Sequence, residues 1–162
     1  MDNIKQYVQQ HKDRFINELI ELLKIPSVSA DTAYSQDVFD TADAVKESLE
    51  KAGCDVVEIC DTPGYPIVYG EKIIDENLPT VLVYGHYDVQ PAAYEEGWQH
   101  DPFDIFEKDG RIFARGAIDN KGQILIHMFN IFKLKNEGKL KYNVKFFIEG
   151  NEETGSPLMP KF

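Results

Sequence analysis

Apolar residues recur at helical spacing through the first two dozen positions, at Ile4, Val8, Phe15, Leu19, Leu22 and Leu23, with polar residues between them. The spacing predicts an amphipathic helix that Pro26 ends at or just before Ile25, because proline lacks an N–H and its ring clashes with the preceding turn. A second helix is predicted with Ser35 as its cap, Val38, Thr41, Ala42, Val45 and Leu49 on its inner face, and Gly53 just beyond its last turn. Its outer face, with Asp43, Lys46, Glu47 and Glu50, is charged. The period then changes. Residues 55–59 and 66–69 read as short strands, an edge pair joined through the turn Thr62-Pro63-Gly64. The run Thr80-Val81-Leu82-Val83-Tyr84 is apolar and β-branched, which predicts a strand buried on both faces that delivers His86 at its carboxyl end. Residues 105–107 and Arg111–Phe113 flank Lys108-Asp109-Gly110, a hairpin signal. Residues 121–136 are apolar nearly all round, with Ile124, Leu125, Ile126, Met128, Phe129, Ile131 and Phe132, and predict a deeply buried helix ended by Gly138. A last strand, 143–148, leads into Glu149. Helices alternating with strands predict one α/β domain, a three-layer α/β/α sandwich on a mostly parallel sheet.

Composition narrows the function without choosing it. A chain of 162 residues, 43% of them hydrophobic, has room for one soluble domain with its own core. Its 28 acidic against 17 basic residues give a net charge of −11, which argues against nucleic-acid or anionic-membrane partners, since both need clustered Lys and Arg. No stretch approaches the roughly 18 apolar residues of a membrane span, and the first residues lack the pattern of a signal peptide, so a cytoplasmic location is expected. Cys54 and Cys60 lack C-x-x-C spacing and read as reduced structural thiols.

Chemistry is concentrated in three polar clusters: Gly85-His86-Tyr87-Asp88-Val89-Gln90-Pro91, Arg115-Gly116-Ala117-Ile118-Asp119-Asn120-Lys121-Gly122, and Glu149-Gly150-Asn151-Glu152-Glu153-Thr154-Gly155-Ser156. Two of them follow predicted strands, where open α/β sheets keep their ligands. Thirty-three residues lead from His86 to Asp119 and another 33 from Asp119 to Glu152, so these side chains would have to converge from separate loops. One imidazole with several carboxylates suits Zn, Mn or Co better than an all-oxygen Ca site. A carboxylate bridging two cations about 3.5 to 4 Å apart would serve hydrolysis at neutral pH, provided a second carboxylate that binds no metal moves the proton. Glu152-Glu153 offers both roles if the segment is extended and the neighbouring side chains diverge. Asp88, two residues after His86, can orient the imidazole through its other nitrogen. His11, His100 and His127 lie in helices or an acidic loop and are not expected as ligands, and Trp98 is expected to pack its loop. The glycines have neither G-x-G-x-x-G nor P-loop spacing, which excludes a nucleotide cradle.

The three clusters, together with Ile25-Pro26-Ser27-Val28-Ser29, Trp98 and Asp101-Pro102-Phe103, resemble in order the signatures of the M20 metallopeptidase family, and within it the dipeptidases related to carnosine dipeptidase. The resemblance implies a zinc-exopeptidase-like fold and two divalent metal ions, Zn foremost, with Mn or Co as alternatives. By it, His86 would bind one metal, Asp119 would bridge both and Glu153 would bind the other. Glu152 would be the general base, Asp88 would orient His86, and the Asp119-Asn120 peptide would be cis. The implied reaction is hydrolysis of a small dipeptide by a hydroxide held between the metals. Deacylation of N-acyl amino acids is the alternative activity, and a truncated non-enzymatic product the alternative class. The family also implies a further Asp and a further His ligand, and a lid domain through which a homodimer would form, none of them within these 162 residues. Residues 1–162 are thus expected to be the N-terminal part of the catalytic domain, an inactive fragment by itself, with an exposed apolar sheet edge and an uncovered face on the 121–136 helix. The closing Pro157-Leu158-Met159-Pro160-Lys161-Phe162 departs from the acidic, helix-starting segment expected there.

Overall fold

The computed structural model of the chain describes residues 2–157 and Met159. Three helices, α1 (Asp2–Leu23), α2 (Ser35–Ala52) and α3 (Lys121–Asn136), accompany six strands: β1 (Val56–Cys60), β2 (Ile67–Lys72), β3 (Thr80–His86), β4 (Phe106–Lys108), β5 (Arg111–Phe113) and β6 (Asn143–Glu149). Every element read from the periodicity is present, with ends shifted by up to three residues. Helix α2 closes as expected, with Gly53 in the left-handed conformation at φ 88°. Its start differs. Ser35 is the first helical residue, its hydroxyl pairs with Tyr65 Oη at 3.0 Å, and Asp31 instead caps the short turn that precedes the helix. β4 and β5 form the predicted hairpin, with Asp109 and Gly110 both at positive φ, the two-residue turn that matches strand twist.

The main sheet runs β1-β2-β6-β3. β1 pairs antiparallel with β2 and β2 antiparallel with β6; only β6 and β3 are parallel. The α/β class is as expected, but the sheet is mixed and mostly antiparallel rather than mostly parallel. The reason is local: only β3 and β6 are linked through a helix, whereas β1 and β2 are joined by a short turn that must reverse the chain.

The helices all lie on one face. α2 packs on β1 and β2, α3 on β3, and α1 against α2 and α3. The core between helices and sheet includes Val38, Val45, Leu49, Ile124, Leu125, Met128 and, from the sheet, Val68, Val144, Phe146 and Ile148. The other face carries Tyr69, Glu71, Tyr84, Lys145 and Phe147, with Tyr84 stacked on Phe147 and Lys145 3.4 Å from Glu71. The described residues thus supply two of the three expected layers.

β3 is not buried on both faces. It is one of the two outer strands of the main sheet among the described residues, and Leu82 is 65% exposed. α3 likewise buries Ile124, Leu125, Met128 and Ile131 but leaves Ile126 58% exposed, so its all-round apolar sequence does not mean all-round burial. An exposed apolar edge and an uncovered helix flank were both expected. Among the described residues no helix is long and apolar enough to cross a membrane. Of the closing segment singled out in the sequence, only Pro157 and Met159 are among the described residues.

Candidate metal centre

Strands β3 and β6 run parallel with His86 opposite Glu149, so the segments that follow them leave the sheet on one rim. The loop before α3 brings the second cluster, residues 115–122, to the same place. Its Asp119-Asn120 peptide is cis, and Asn120 Oδ1 accepts the His86 backbone N–H at 3.2 Å. A Cβ on Gly85 would run into Asn120 Oδ1 and Ile124, so glycine is what lets the end of β3 approach the start of α3.

His86 is almost buried. Its Nε2 lies 3.1 Å from Asp119 Oδ1 and 3.8 Å from Glu152 Oε2. Its Nδ1 faces the Asp88 backbone carbonyl at 3.1 Å and the Asp88 carboxylate at 3.4 Å. Burial lowers the imidazole pKa, but the hydrogen bond and charge of Asp88, with help from Glu152, outweigh it and push the value up to about 9. Asp119 is 69% exposed, held at the mouth of the site rather than inside it.

Glu152 and Glu153 do not lie on an extended segment as expected. They form a short 3-10 turn, Glu152–Thr154, and still diverge: Glu152 faces His86, while Glu153 Oε2 accepts from Gln90 Nε2 at 2.6 Å. The turn is tied down from several sides. Asn151 Oδ1 accepts the Tyr65 N–H at 2.9 Å, and Glu149 Oε1 accepts from Ser156 Oγ at 2.8 Å and Tyr84 Oη at 2.6 Å. A Cβ on Gly150 would collide with the Tyr87 ring, which packs under the turn. Partial burial raises the Glu152 pKa, with the negative charges of Glu153, Asp88 and Asp119 acting the same way and His86 opposing. A carboxyl shifted upward is better matched to proton transfer near neutrality.

Asp88 has no solvent exposure. It does face His86 Nδ1, yet its shorter contacts are elsewhere: Ser29 Oγ donates to Oδ2 at 2.6 Å, and the Glu152 and Glu153 N–H groups donate to Oδ1 and Oδ2 at 3.2 and 3.1 Å. The roles of Ser29, Gln90 and Asn120 escaped the sequence reading, although all three stand inside the words it singled out. Nothing in their spacing signals the contact each makes across the fold.

One ligand atom each from His86, Asp119 and Glu153 lie within 4.8 Å of one another. Donors about 2.0 to 2.2 Å from a single zinc ion stand at most about 4.4 Å apart, so this set fits one ion after a small closure, or two ions that share a central carboxylate. A neutral nitrogen with carboxylate oxygens also fits a borderline divalent cation. The other histidines stand apart from the site: His11 contacts the rings of Tyr7 and Phe15 within α1, His100 stacks on Phe106, and His127 is exposed on α3. Trp98 packs its loop, with the Arg115 guanidinium 5.4 Å above its ring.

Residues 82–161 match the profile of peptidase family M20/M25/M40. The chain is 36% identical over 167 residues to a Cys-Gly metallodipeptidase of Schizosaccharomyces pombe, covering 96% of this chain and 35% of the relative. It is 35% identical over 170 residues to the Beta-Ala-His dipeptidase of Rattus norvegicus, covering 96% of this chain and 34% of that protein. The crystal structure of human carnosine dipeptidase 1 superposes with a TM-score of 0.90 at 32% identity, over 99% of this chain and 36% of the other. The chain spans about a third of the length of the curated relatives it matches.

Proposed function

The chain belongs to peptidase family M20/M25/M40, and from that premise we propose that it carries the first half of the metal centre of a dipeptidase. The observation that supports this most is the convergence of His86, Asp119 and Glu153 from three separate segments, with the Glu152 carboxylate beside them and outside the ligand set. His86 would hold one divalent ion, Glu153 a second, and exposed Asp119 would bridge them; zinc suits this mixed donor set, with manganese or cobalt as alternatives. When bound, such ions lower the pKa of a water molecule and polarise an amide carbonyl.

The protein's own residues do the rest. Glu152 would accept the proton of the attacking water and return it to the departing amine, a task for which its raised pKa is suited. Asp88 would hold the His86 ring in one orientation from the Nδ1 side, leaving Nε2 for the ion. The substrate class is a small dipeptide, by likeness to relatives named for Cys-Gly and Beta-Ala-His. Cys54 and Cys60 are both free, which agrees with a reducing compartment such as the cytoplasm.

Two ions sharing these three side chains would have two protein ligands each, fewer than the three usual in catalytic sites. These 162 residues alone are therefore expected to bind zinc weakly and not to turn over. The test is a chimera in which this chain replaces the matching third of the Schizosaccharomyces pombe relative. Zinc-loaded, it should hydrolyse Cys-Gly, and Glu152→Gln should abolish hydrolysis while zinc stays bound. A chimera that cleaves only N-acyl amino acids would replace the dipeptidase reading with deacylation, and loss of zinc from the Glu152→Gln variant would contradict the base assignment.

A further inference from the structure

The word Ile25-Pro26-Ser27-Val28-Ser29 has no part in the chemistry so far, yet it runs directly alongside the His86 loop. Val28 forms a parallel bridge with Val89, the Val89 N–H donates to the Ser27 carbonyl at 2.9 Å, and Ser27 Oγ donates to the Tyr87 carbonyl at 2.7 Å. This pairing places the Ser29 hydroxyl 2.6 Å from Asp88 Oδ2.

An ionised carboxylate offers about four acceptor directions; at Asp88 three receive hydrogen bonds and His86 Nδ1 stands 3.4 Å away on the remaining side. Oδ2 receives Ser29 Oγ and the Glu153 N–H, while Oδ1 receives the Glu152 N–H and faces His86 Nδ1. One buried carboxylate therefore joins the end of β3 to the turn that carries Glu152 and Glu153, and three of its four contacts belong to the site itself. Ser29 supplies the fourth from outside, and its contact is the shortest. Asp88 itself has no solvent exposure, so loss of the Ser29 donor would leave a buried acceptor short of a partner.

We propose that Ser29 is a positioning residue of the metal centre: its hydroxyl fixes the rotation of the Asp88 carboxylate, and through it both the His86 ring and the Glu152–Glu153 turn. The proposal rests on the metal-site reading above for its purpose, but its geometry can be tested without a metal.

The experiment compares the 162-residue protein with Ser29→Ala and Ser29→Thr by two measurements, site-resolved amide hydrogen exchange without metal and zinc titration. In Ser29→Ala the Glu152 and Glu153 amides should exchange about tenfold faster while those of α2 keep their protection, and zinc should bind about tenfold more weakly, the lower end of what lost outer partners of metal ligands cost. Ser29→Thr keeps the hydroxyl and should restore both. Unchanged exchange at Glu152 and Glu153 in Ser29→Ala would overturn the proposal, as would faster exchange spread evenly over the chain, which marks general destabilisation. If the unsubstituted protein binds no zinc, the metal reading falls, and the exchange measurement still decides whether Ser29 positions the turn.

Discussion

Lys121 Nζ donates to the Ile25 carbonyl at 2.7 Å, joining the first turn of α3 to the chain just past the end of α1. It also donates to the Leu22 carbonyl at 2.9 Å, so one buried ammonium satisfies a carbonyl that the end of α1 leaves without a partner and adds to the Ser27 N–H already on Ile25. Burial pulls its pKa down to about 7, against the opposing pull of Asp88 and Asp37. Because Lys121 stands two residues after Asp119, the same contact anchors the loop that carries this candidate ligand.

Replacing only the donor should therefore be costly. Lys121→Met keeps most of the volume but leaves the Leu22 carbonyl without its donor, while the Ile25 carbonyl keeps the Ser27 N–H at 2.9 Å, with an expected loss of roughly 1 kcal/mol of stability, net of the relief of no longer burying a cation. Urea denaturation checks it. A variant as stable as the unsubstituted protein would show that water or a local shift satisfies the Leu22 carbonyl.

The Cys54 thiol gives a prediction in pH. Burial foremost, then the charge of Asp55, pushes its pKa up to about 11 from an ordinary 9.0. The thiolate is the reactive species, so at pH 8 the folded chain should alkylate at Cys54 about 100-fold more slowly than the same residue in urea. The folded rate should rise about tenfold per pH unit up to about pH 11, where the unfolded rate levels off near 9. Iodoacetamide labelling followed by peptide mass spectrometry measures both, and equal rates at pH 8 would contradict the burial seen at this residue.

Most of this architecture was legible because it rests on local periodicity. The α3 boundaries, the Asp109-Gly110 turn and the Gly53 helix end follow from side-chain spacing and backbone preference, which neighbours in sequence decide. Strand pairing does not. β2 lies between β1 and β6, a partner more than 70 residues away, and no short-range pattern encodes that choice. The candidate ligands were legible as words, yet the contacts that aim them, Ser29 to Asp88 and Gln90 to Glu153, cross about 60 residues each and are visible only once the chain is folded.

Exposure along β3 predicts association. Leu82 points away from the helices on an outer strand and is 65% exposed, with Tyr84 two residues on at 52%. Such an edge is a template for pairing with another chain, and a lysine on it is a common natural protection. Leu82→Lys should leave the fold intact and reduce self-association in sedimentation velocity at high concentration. Equal association by the two proteins would mean that this edge plays no part in it.

The central claim is that His86, Asp119 and Glu153 together form a divalent-cation centre, with Asp119 shared between two ions, and zinc titration by calorimetry tests it most directly. The unsubstituted protein should give weak but saturable binding of two ions; His86→Ala should lose at least one of them and Asp119→Ala should abolish binding, both while keeping the unfolding behaviour of the parent. Binding that survives both substitutions, or a parent that takes up no zinc, manganese or cobalt at all, would contradict the account.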